Sequence, residues 1–150
     1  MSPLSKNLNA AISDVLEKMF FLLPDEERPQ DRELENRLAM HIGITGTPGY
    51  VITLEMEREF ASALGADFLG IDADQIDEGL PVKCLQETAN IVAGRFLLQF
   101  APGGNRDVTL PDIRKEAILK SGTIVKESMD VLRFNGYPVA VRLETVESLA

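Results

Sequence analysis

The chain has 150 residues, of which 45% are hydrophobic and 26% are charged, as is typical of one soluble globular domain with a sizeable core. Its net charge of −9, with 15 scattered basic residues, argues against nucleic-acid binding, which requires clustered lysine and arginine. No apolar run reaches the roughly 18 residues of a membrane span, and no secretory signal pattern opens the chain. We therefore expect a single domain over residues 1–150, in the cytoplasm, without nucleic-acid or membrane partners.

The only cysteine and the only histidine limit the chemistry of the side chains. Cys84 cannot form an internal disulfide, and its place near the apolar side of a helix favours a buried structural thiol over a nucleophile. His41 alternates with the inward residues Met40, Ile42 and Ile44, so we expect it to be exposed on a strand. One histidine without a second cysteine gives little support for a metal site, and the acidic loop 70–79 lacks the ligand spacing of a calcium loop.

The first half of the chain predicts a helix, two strands and a second helix. Residues 2–24 form a helical pattern with Ser2 as the cap, Pro3 at the first position and Pro24 as the end. The charged segment 25–37 is predicted to be a solvated connection. Strands are predicted over 38–46 and 50–57, joined by a turn rich in Gly and Pro. The next helix, 57–70, carries an apolar stripe of Phe60, Ala61, Leu64 and Phe68.

The second half predicts a long helix over 80–100 and then strands. Residues 101–107 have the composition of a flexible turn, and 109–122 are ambiguous between a short helix and an irregular crossover. Strand patterns follow over 123–128, 129–134 and 137–145. Asn135 and Gly136 between the last two runs are a strong hairpin signal. The element order predicts an α+β fold in which helices cover an antiparallel sheet.

The helix over 80–100 contains a polar stripe opposite its core face. At the helical angle of about 100° per residue, the apolar residues gather on one side: Val82, Leu85, Ala89, Val92, Ala93 and Phe96. Lys83, Glu87, Asn90 and Gly94 gather on the other, so Glu87 and Asn90 are surface neighbours. An amide can hold a water molecule at a fixed angle, and a glycine lets another backbone approach. The spacing alone favours an ordinary solvated helix surface, because Glu-x-x-Asn occurs by chance on many helices.

The stretch ETANIVAG, residues 87–94, within LQETANIVAGRFL resembles the signature of the CheC/CheX/FliY chemotaxis phosphatase family, and the layout is similar to CheX-like domains. DVLEKMFF, IGITG, YVITLEM, ASALGADFLG and TLPDI follow the family's order along most of the chain. Only the Glu-x-x-Asn-x-x-x-Gly core is specific. The resemblance implies a CheX-like fold and dephosphorylation of a phosphorylated CheY-type response regulator, in two-component signalling.

The resemblance also implies roles for individual residues. Asn90 is expected to orient the attacking water and Glu87 to engage the regulator's lysine, whereas Lys83 and Gly94 are expected at the contact with the partner. The chain is expected to have no cofactor of its own, because magnesium would come with the regulator. A second motif is not expected, since Phe20 stands where the first helix would need Asn.

Three alternatives follow from these patterns. The first is the phosphatase itself. The second is a non-catalytic module of the same fold that binds a receiver domain or another signalling protein. The third is a structural domain whose helix surface is incidental. The resemblance further implies homodimers through the sheet, which the hairpin at the end of the chain could support.

Overall fold

The structure, a computed structural model, describes residues 2–25, 34–100, 105–120 and 122–150, apart from the side chains of residues 73, 99 and 100. The predicted helices and strands are present, some with other bounds, and a 3₁₀ turn lies at Ala73–Gln75. The elements in chain order are α1 (Pro3–Phe20), β1 (Arg37–Ile44), β2 (Gly49–Glu57), α2 (Arg58–Leu69), α3 (Leu80–Phe100), α4 (Lys115–Ile118), β3 (Ile124–Phe134) and β4 (Tyr137–Val146). None of the helices in the described ranges has the length and apolar character to cross a membrane.

The strands form one antiparallel sheet in the order β1-β2-β4-β3, which confirms the predicted α+β class. Alternation along β1 and β2 places one set of apolar side chains on the face that α1, α2 and α3 cover. The fully buried members of this set include Met40, Ile42, Ile44, Ile52 and Leu54. On the opposite face, α4 and the end of the chain form a second, smaller core with Val51, Ile118, Val146 and Leu149.

The two ends of α1 depend on different signals. Ser2 caps the start, because its side-chain oxygen accepts a hydrogen bond from the Ser5 N–H, and Pro3 occupies the first turn. The predicted end at Pro24 was wrong. The helix ends at Phe20 because Phe21 turns into the left-handed conformation at φ 57° and its N–H donates to the carbonyls of the last turn.

The predicted hairpin at Asn135-Gly136 is confirmed, and both residues have positive φ, 52° and 80°, as a two-residue hairpin turn requires. Asp25 stabilises this turn, because its carboxylate accepts hydrogen bonds from the N–H groups of Asn135 and Gly136 at 3.0 and 2.7 Å. The two runs 123–128 and 129–134 belong to the single strand β3. Of the predicted connection 25–37 and turn 101–107, residues 26–33 and 101–104 lie outside the described ranges.

The ambiguous segment 109–122 contains both of its predicted alternatives. The chain from Val108 to Asp112, which includes its first part, pairs with the outer edge of β1 through bridges from Ile44 to Val108 and from His41 to Asp112, and the short helix α4 follows. This pairing corrects the expectation that His41 is exposed. The ring is half-buried, and Nδ1 lies 2.7 Å from Thr53 Oγ1. Burial, with the nearby charge of Lys115, lowers the pKa of His41 below its usual 6.5.

Candidate functional site

The core face of α3 fixes which way its polar side points. Its inward residues are fully buried between the other helices and the sheet: Leu85, Ala89, Val92, Ala93 and Phe96. Thr88 is buried beside them and satisfies its hydroxyl by donating to the carbonyl of Cys84 at 2.8 Å. Rotating the helix about its axis would expose this face at a large cost in buried apolar surface. The opposite side of α3 therefore faces solvent.

The exposed side of α3 carries the four residues of the predicted stripe, which we call the motif ridge: Lys83, Glu87, Asn90 and Gly94. The first three are exposed and Gly94 is partly exposed. The ridge extends about 16 Å along the helix at 1.5 Å per residue. Glu87 and Asn90, separated by about 4.5 Å along the axis, are adjacent on this surface.

The polar side chains of the motif ridge have no partner among the described residues. Glu87 and Asn90 make no side-chain hydrogen bond or ion pair with the described residues, and the structure contains no Lys83–Glu87 ion pair. The sequence suggests such a pair because the two residues are four apart on one helix. An exposed pair of this kind contributes only about 0.3–0.5 kcal/mol. Carboxylate and amide are thus both available to a partner molecule.

Gly94 leaves open space at the far end of the motif ridge. A Cβ atom built on Gly94 meets no atom of the described residues within 4 Å beyond its own stretch of helix, so packing against these residues does not require the glycine. The next residue, Arg95, forms an ion pair with Asp14 of α1 at 2.9 Å, and Lys18 joins the same carboxylate at 3.3 Å. These contacts hold α3 against α1 beside the low surface at Gly94.

An apolar groove adjoins the other end of the motif ridge, between the end of α1, the end of α2 and the start of α3. It has a volume of about 280 Å³, and its lining includes Met19, Phe20, Phe68, Leu69, Cys84 and Glu87. Phe20 and Phe68 meet edge to face with their centroids 5.9 Å apart. The expectation that Phe68 lies on the buried stripe of α2 was wrong, since 58% of it is exposed. Glu87 lines the groove and also belongs to the motif ridge.

Cys84 lies at the groove, one turn before Glu87, and is half-buried. Burial raises the pKa of its thiol to about 11, and a hydrogen bond with Thr88 opposes this effect. Since the thiolate is the nucleophilic form, a thiol with this pKa reacts slowly near neutral pH. The geometry agrees with the predicted structural role of Cys84.

The chemistry available on the motif ridge is positioning and charge pairing. The Asn90 amide both donates and accepts hydrogen bonds, whereas the Glu87 carboxylate only accepts them. Together they offer fewer oxygen ligands than the octahedral shell of Mg²⁺ requires. The described ranges contain no group of three or more His, Cys, Asp or Glu side chains that could hold a metal ion.

The sequence prediction missed the groove and one buried ion pair. No single motif in the sequence marks the groove, although two helices that border it end in large apolar residues, α1 in Phe20 and α2 in Phe68-Leu69. The ion pair joins Lys115 Nζ to Glu144 Oε2 at 2.5 Å, with Glu144 fully buried. No signal in the sequence pairs these two residues, which are 29 apart.

Comparison with solved structures identifies the fold. A chain of the complex of CheX with CheY, BeF₃ and Mg²⁺ from Borrelia burgdorferi superposes with a TM-score of 0.67 at 18% identity, over 94% of this chain and 96% of that one. A CheX from Desulfovibrio desulfuricans gives 0.69 at 18% identity, over 95% and 98%. The chain has the CheX-like fold. The predicted resemblance is thus confirmed at the level of the fold.

The CheX-like fold is not restricted to CheX proteins. The middle domain of FliM from H. pylori superposes with a TM-score of 0.53 at 11% identity, over 95% of this chain and 85% of that one. No protein-family model and no curated protein matches the sequence. At these identities the fold is shared without its chemistry following from it. The function therefore depends on the residues of the motif ridge.

Proposed function

We propose that this chain is a phosphatase that accelerates the dephosphorylation of a phosphorylated CheY-type response regulator. The observation that carries the proposal is the pair Glu87 and Asn90, exposed side by side on α3 of a CheX-like fold, with no side-chain hydrogen bond or ion pair to the described residues. A CheX neighbour of the same fold was crystallised with CheY, BeF₃ and Mg²⁺, which supports a receiver domain as the partner. Membership of the CheC/CheX family is part of this proposal.

In the proposed reaction, Asn90 positions the attacking water. Its side-chain oxygen accepts a hydrogen bond from one water O–H, so that an oxygen lone pair faces the phosphorus atom in line with the bond to the aspartyl oxygen. The new P–O bond forms as the bond to the aspartyl oxygen breaks, releasing inorganic phosphate and a free carboxylate. Since little covalent chemistry falls to the protein in phosphoryl transfer, positioning supplies most of the acceleration.

Glu87 has a different role in the proposal. A free carboxylate beside a phosphoryl group would repel it, so Glu87 needs a cation from the partner before the two surfaces can dock. A lysine of the receiver domain supplies that cation and fixes how deeply the motif ridge enters the phosphorylated pocket of the receiver domain. Lys83 and Gly94 belong to the same contact, Lys83 as a charged neighbour and Gly94 as the low surface. Magnesium, which neutralises charge on the phosphoryl oxygens, comes with the receiver domain.

Phosphate release tests the proposal directly. A panel of CheY-type receiver domains is phosphorylated with acetyl phosphate in Mg²⁺, and phosphate loss is followed with and without this protein. We expect faster loss from at least one receiver, and a decrease of about 100-fold or more in that acceleration for Asn90→Ala, as for other lost positioning groups. Asn105→Ala is the matched control, because Asn105 is also exposed but lies outside α3. Phosphate loss unchanged by the wild-type chain for the whole panel contradicts the proposal.

A non-catalytic receiver-binding module is the second candidate. Two observations favour it: the chain has a single motif, with Phe20 where a second Asn would stand, and the fold also occurs in a FliM domain. This candidate predicts saturable binding to a receiver with no change in the phosphate lifetime. A purely structural domain predicts neither effect.

Homodimerisation through the sheet also belongs to the proposal. The strand β3 lies at one edge of the sheet, and it carries several exposed apolar side chains: Val125, Met129 and Val131. Such an edge can pair with a second copy. Light scattering that gives the monomer mass at micromolar concentration contradicts this part of the proposal and leaves the phosphatase assignment standing.

A further inference from the structure

We propose that the apolar groove beside the motif ridge receives an apolar side chain of the receiver domain, one that stands next to the lysine engaged by Glu87. The inference rests on the proposed function and adds to it the feature that gives affinity for the partner. The motif ridge then performs the chemistry, and the groove selects the receiver.

The construction of the groove shows that it is not a gap in the core. Gly65 of α2 forms part of its floor, where a Cβ would lie 3.1 Å from the side chain of Leu80 and 3.3 Å from Cys84 Cβ. The two helices therefore approach closely beneath the groove, while its rim stays open. Phe68 and Leu69 on that rim are 58% and 60% exposed. Such exposure of two large apolar neighbours is unfavourable in water unless a partner covers them.

The size of the groove favours a side chain over a small-molecule cofactor. Its volume of about 280 Å³ lies just below the roughly 300–1,000 Å³ of ligand pockets. It is adequate for one or two apolar side chains. Pockets of this kind, filled by an apolar or aromatic anchor, are the usual centres of affinity in protein interfaces.

Continuity with the motif ridge identifies which molecule supplies that side chain. Lys83 and Glu87 line the groove and belong to the ridge, so a partner seated on Glu87 covers the groove at the same time. Asn90 lies within one turn of Glu87, about 4.5 Å along the axis. The anchor and the reacting phosphoryl group thus belong to one docking surface.

Charge disfavours a second copy of this chain as the occupant. The chain carries a net charge of −9, and Glu87 stands at the edge of the groove. Two copies would each carry this net negative charge and one lysine beside Glu87 at the groove, whereas a partner with a less acidic surface that presents a lysine beside an apolar side chain pairs with Glu87 without that overall repulsion. The receiver domain of the proposed function is such a partner.

Phe68→Ser tests the groove separately from the motif ridge. Phe68 is already more than half exposed, so the variant keeps the fold, which circular dichroism checks. We expect its Kd for a BeF₃- and Mg²⁺-loaded receiver to rise at least tenfold, with KM rising in parallel and kcat changing less than threefold. Leu110→Ser is the matched control, because Leu110 is an 85% exposed leucine in the segment beside β1, and its Kd should match the wild type.

Asn90→Ala gives the opposite result under the proposal, with kcat lost and Kd retained. Equal Kd values for the wild type and Phe68→Ser overturn the groove assignment and leave the proposed phosphatase intact. Failure of the wild type to bind any receiver of the panel overturns both.

Alkylation of Cys84 by iodoacetamide is an independent readout, because Cys84 lines the groove and is the only cysteine. Mass spectrometry should show at least fivefold slower alkylation at Cys84 when the BeF₃- and Mg²⁺-loaded receiver is bound. An alkylation rate unchanged by saturating receiver contradicts occupancy of the groove.

Discussion

Replacement of Gly94 should change the stability of α3 and the docking of a receiver domain on its surface in opposite directions. Gly94 lies in the interior of α3, in the range Leu80–Phe100, where glycine is less stable than alanine by about 1 kcal/mol because of its backbone entropy. A Cβ at this position meets no atom within 4 Å in the part of the chain that the structure describes, apart from its own stretch of helix, so we expect Gly94→Ala to add helix propensity without a clash. For a chain of this length, that gain corresponds to a rise in Tm of about 2–4 °C.

Substitutions at Gly94 that raise the stability should lower the phosphatase activity. Gly94→Met should retain most of the gain in Tm, since methionine is also a good helix former. Its side chain, however, fills the space through which the receiver domain would approach the motif ridge. We expect kcat/KM for phosphate release to fall at least tenfold in Gly94→Met, and by a smaller factor in Gly94→Ala.

Thermal unfolding followed by circular dichroism and the phosphate-release assay measure the two effects. Gly65→Ala is the matched control in α2, because its new Cβ would lie 3.1 Å from Leu80 and 3.3 Å from Cys84, so its Tm should fall. A decrease in Tm for Gly94→Ala would refute the reading of Gly94 as a position free of packing constraints. An unchanged kcat/KM for Gly94→Met would refute its place in the docking surface.

Three further predictions concern buried polar groups. Lys115→Met should lower the free energy of unfolding in urea by about 3 kcal/mol, because it leaves the fully buried Glu144 without its partner. Lys18→Met, which removes an exposed ion pair, is the control and should cost less than about 0.5 kcal/mol. Equal losses in the two variants would contradict the prediction. The lowered pKa of His41 means that its neutral form is favoured in the folded state, so its contribution to stability is present above pH 6.5 and is lost as the pH falls towards the folded pKa. His41→Gln should therefore lose less stability than the wild type between pH 6.5 and 5, and parallel Tm profiles would count against this. Because the pKa of Cys84 is raised from 9.0 to about 11, its alkylation at pH 8 should be about 100-fold slower than that of an ordinary thiol, and labelling at the ordinary rate would show an accessible thiolate.

The sequence predicted the elements whose signals are local. The cap of α1 at Ser2 and the hairpin at Asn135-Gly136 depend on a few neighbouring residues, and both are confirmed. The outward direction of Glu87 and Asn90 follows from the helical period, since the apolar residues of α3 leave only one side for solvent. The fold class and the exposed motif ridge could therefore be predicted from the sequence alone.

The features that the sequence did not predict depend on contacts between distant segments. His41 is half-buried because the segment around Asp112 pairs with the outer edge of β1, and alternation along a strand does not reveal what covers its other face. Phe68 is exposed because α2 packs through Phe60 and Leu64 and ends at Leu69, before its stripe completes another turn. The ion pair of Lys115 and Glu144 joins residues that only the folded sheet brings together.

The role of Asn90 in positioning the attacking water is tested by the maximal rate of phosphate loss from the receiver at saturating concentrations of this protein. Saturation removes any effect on docking, so the ratio of maximal rates for the wild type and Asn90→Ala reports the positioning of water alone. We expect Asn90→Ala to bind the phosphorylated receiver with nearly unchanged affinity and to retain at most about one hundredth of the acceleration. A maximal rate for Asn90→Ala equal to that of the wild type would contradict it.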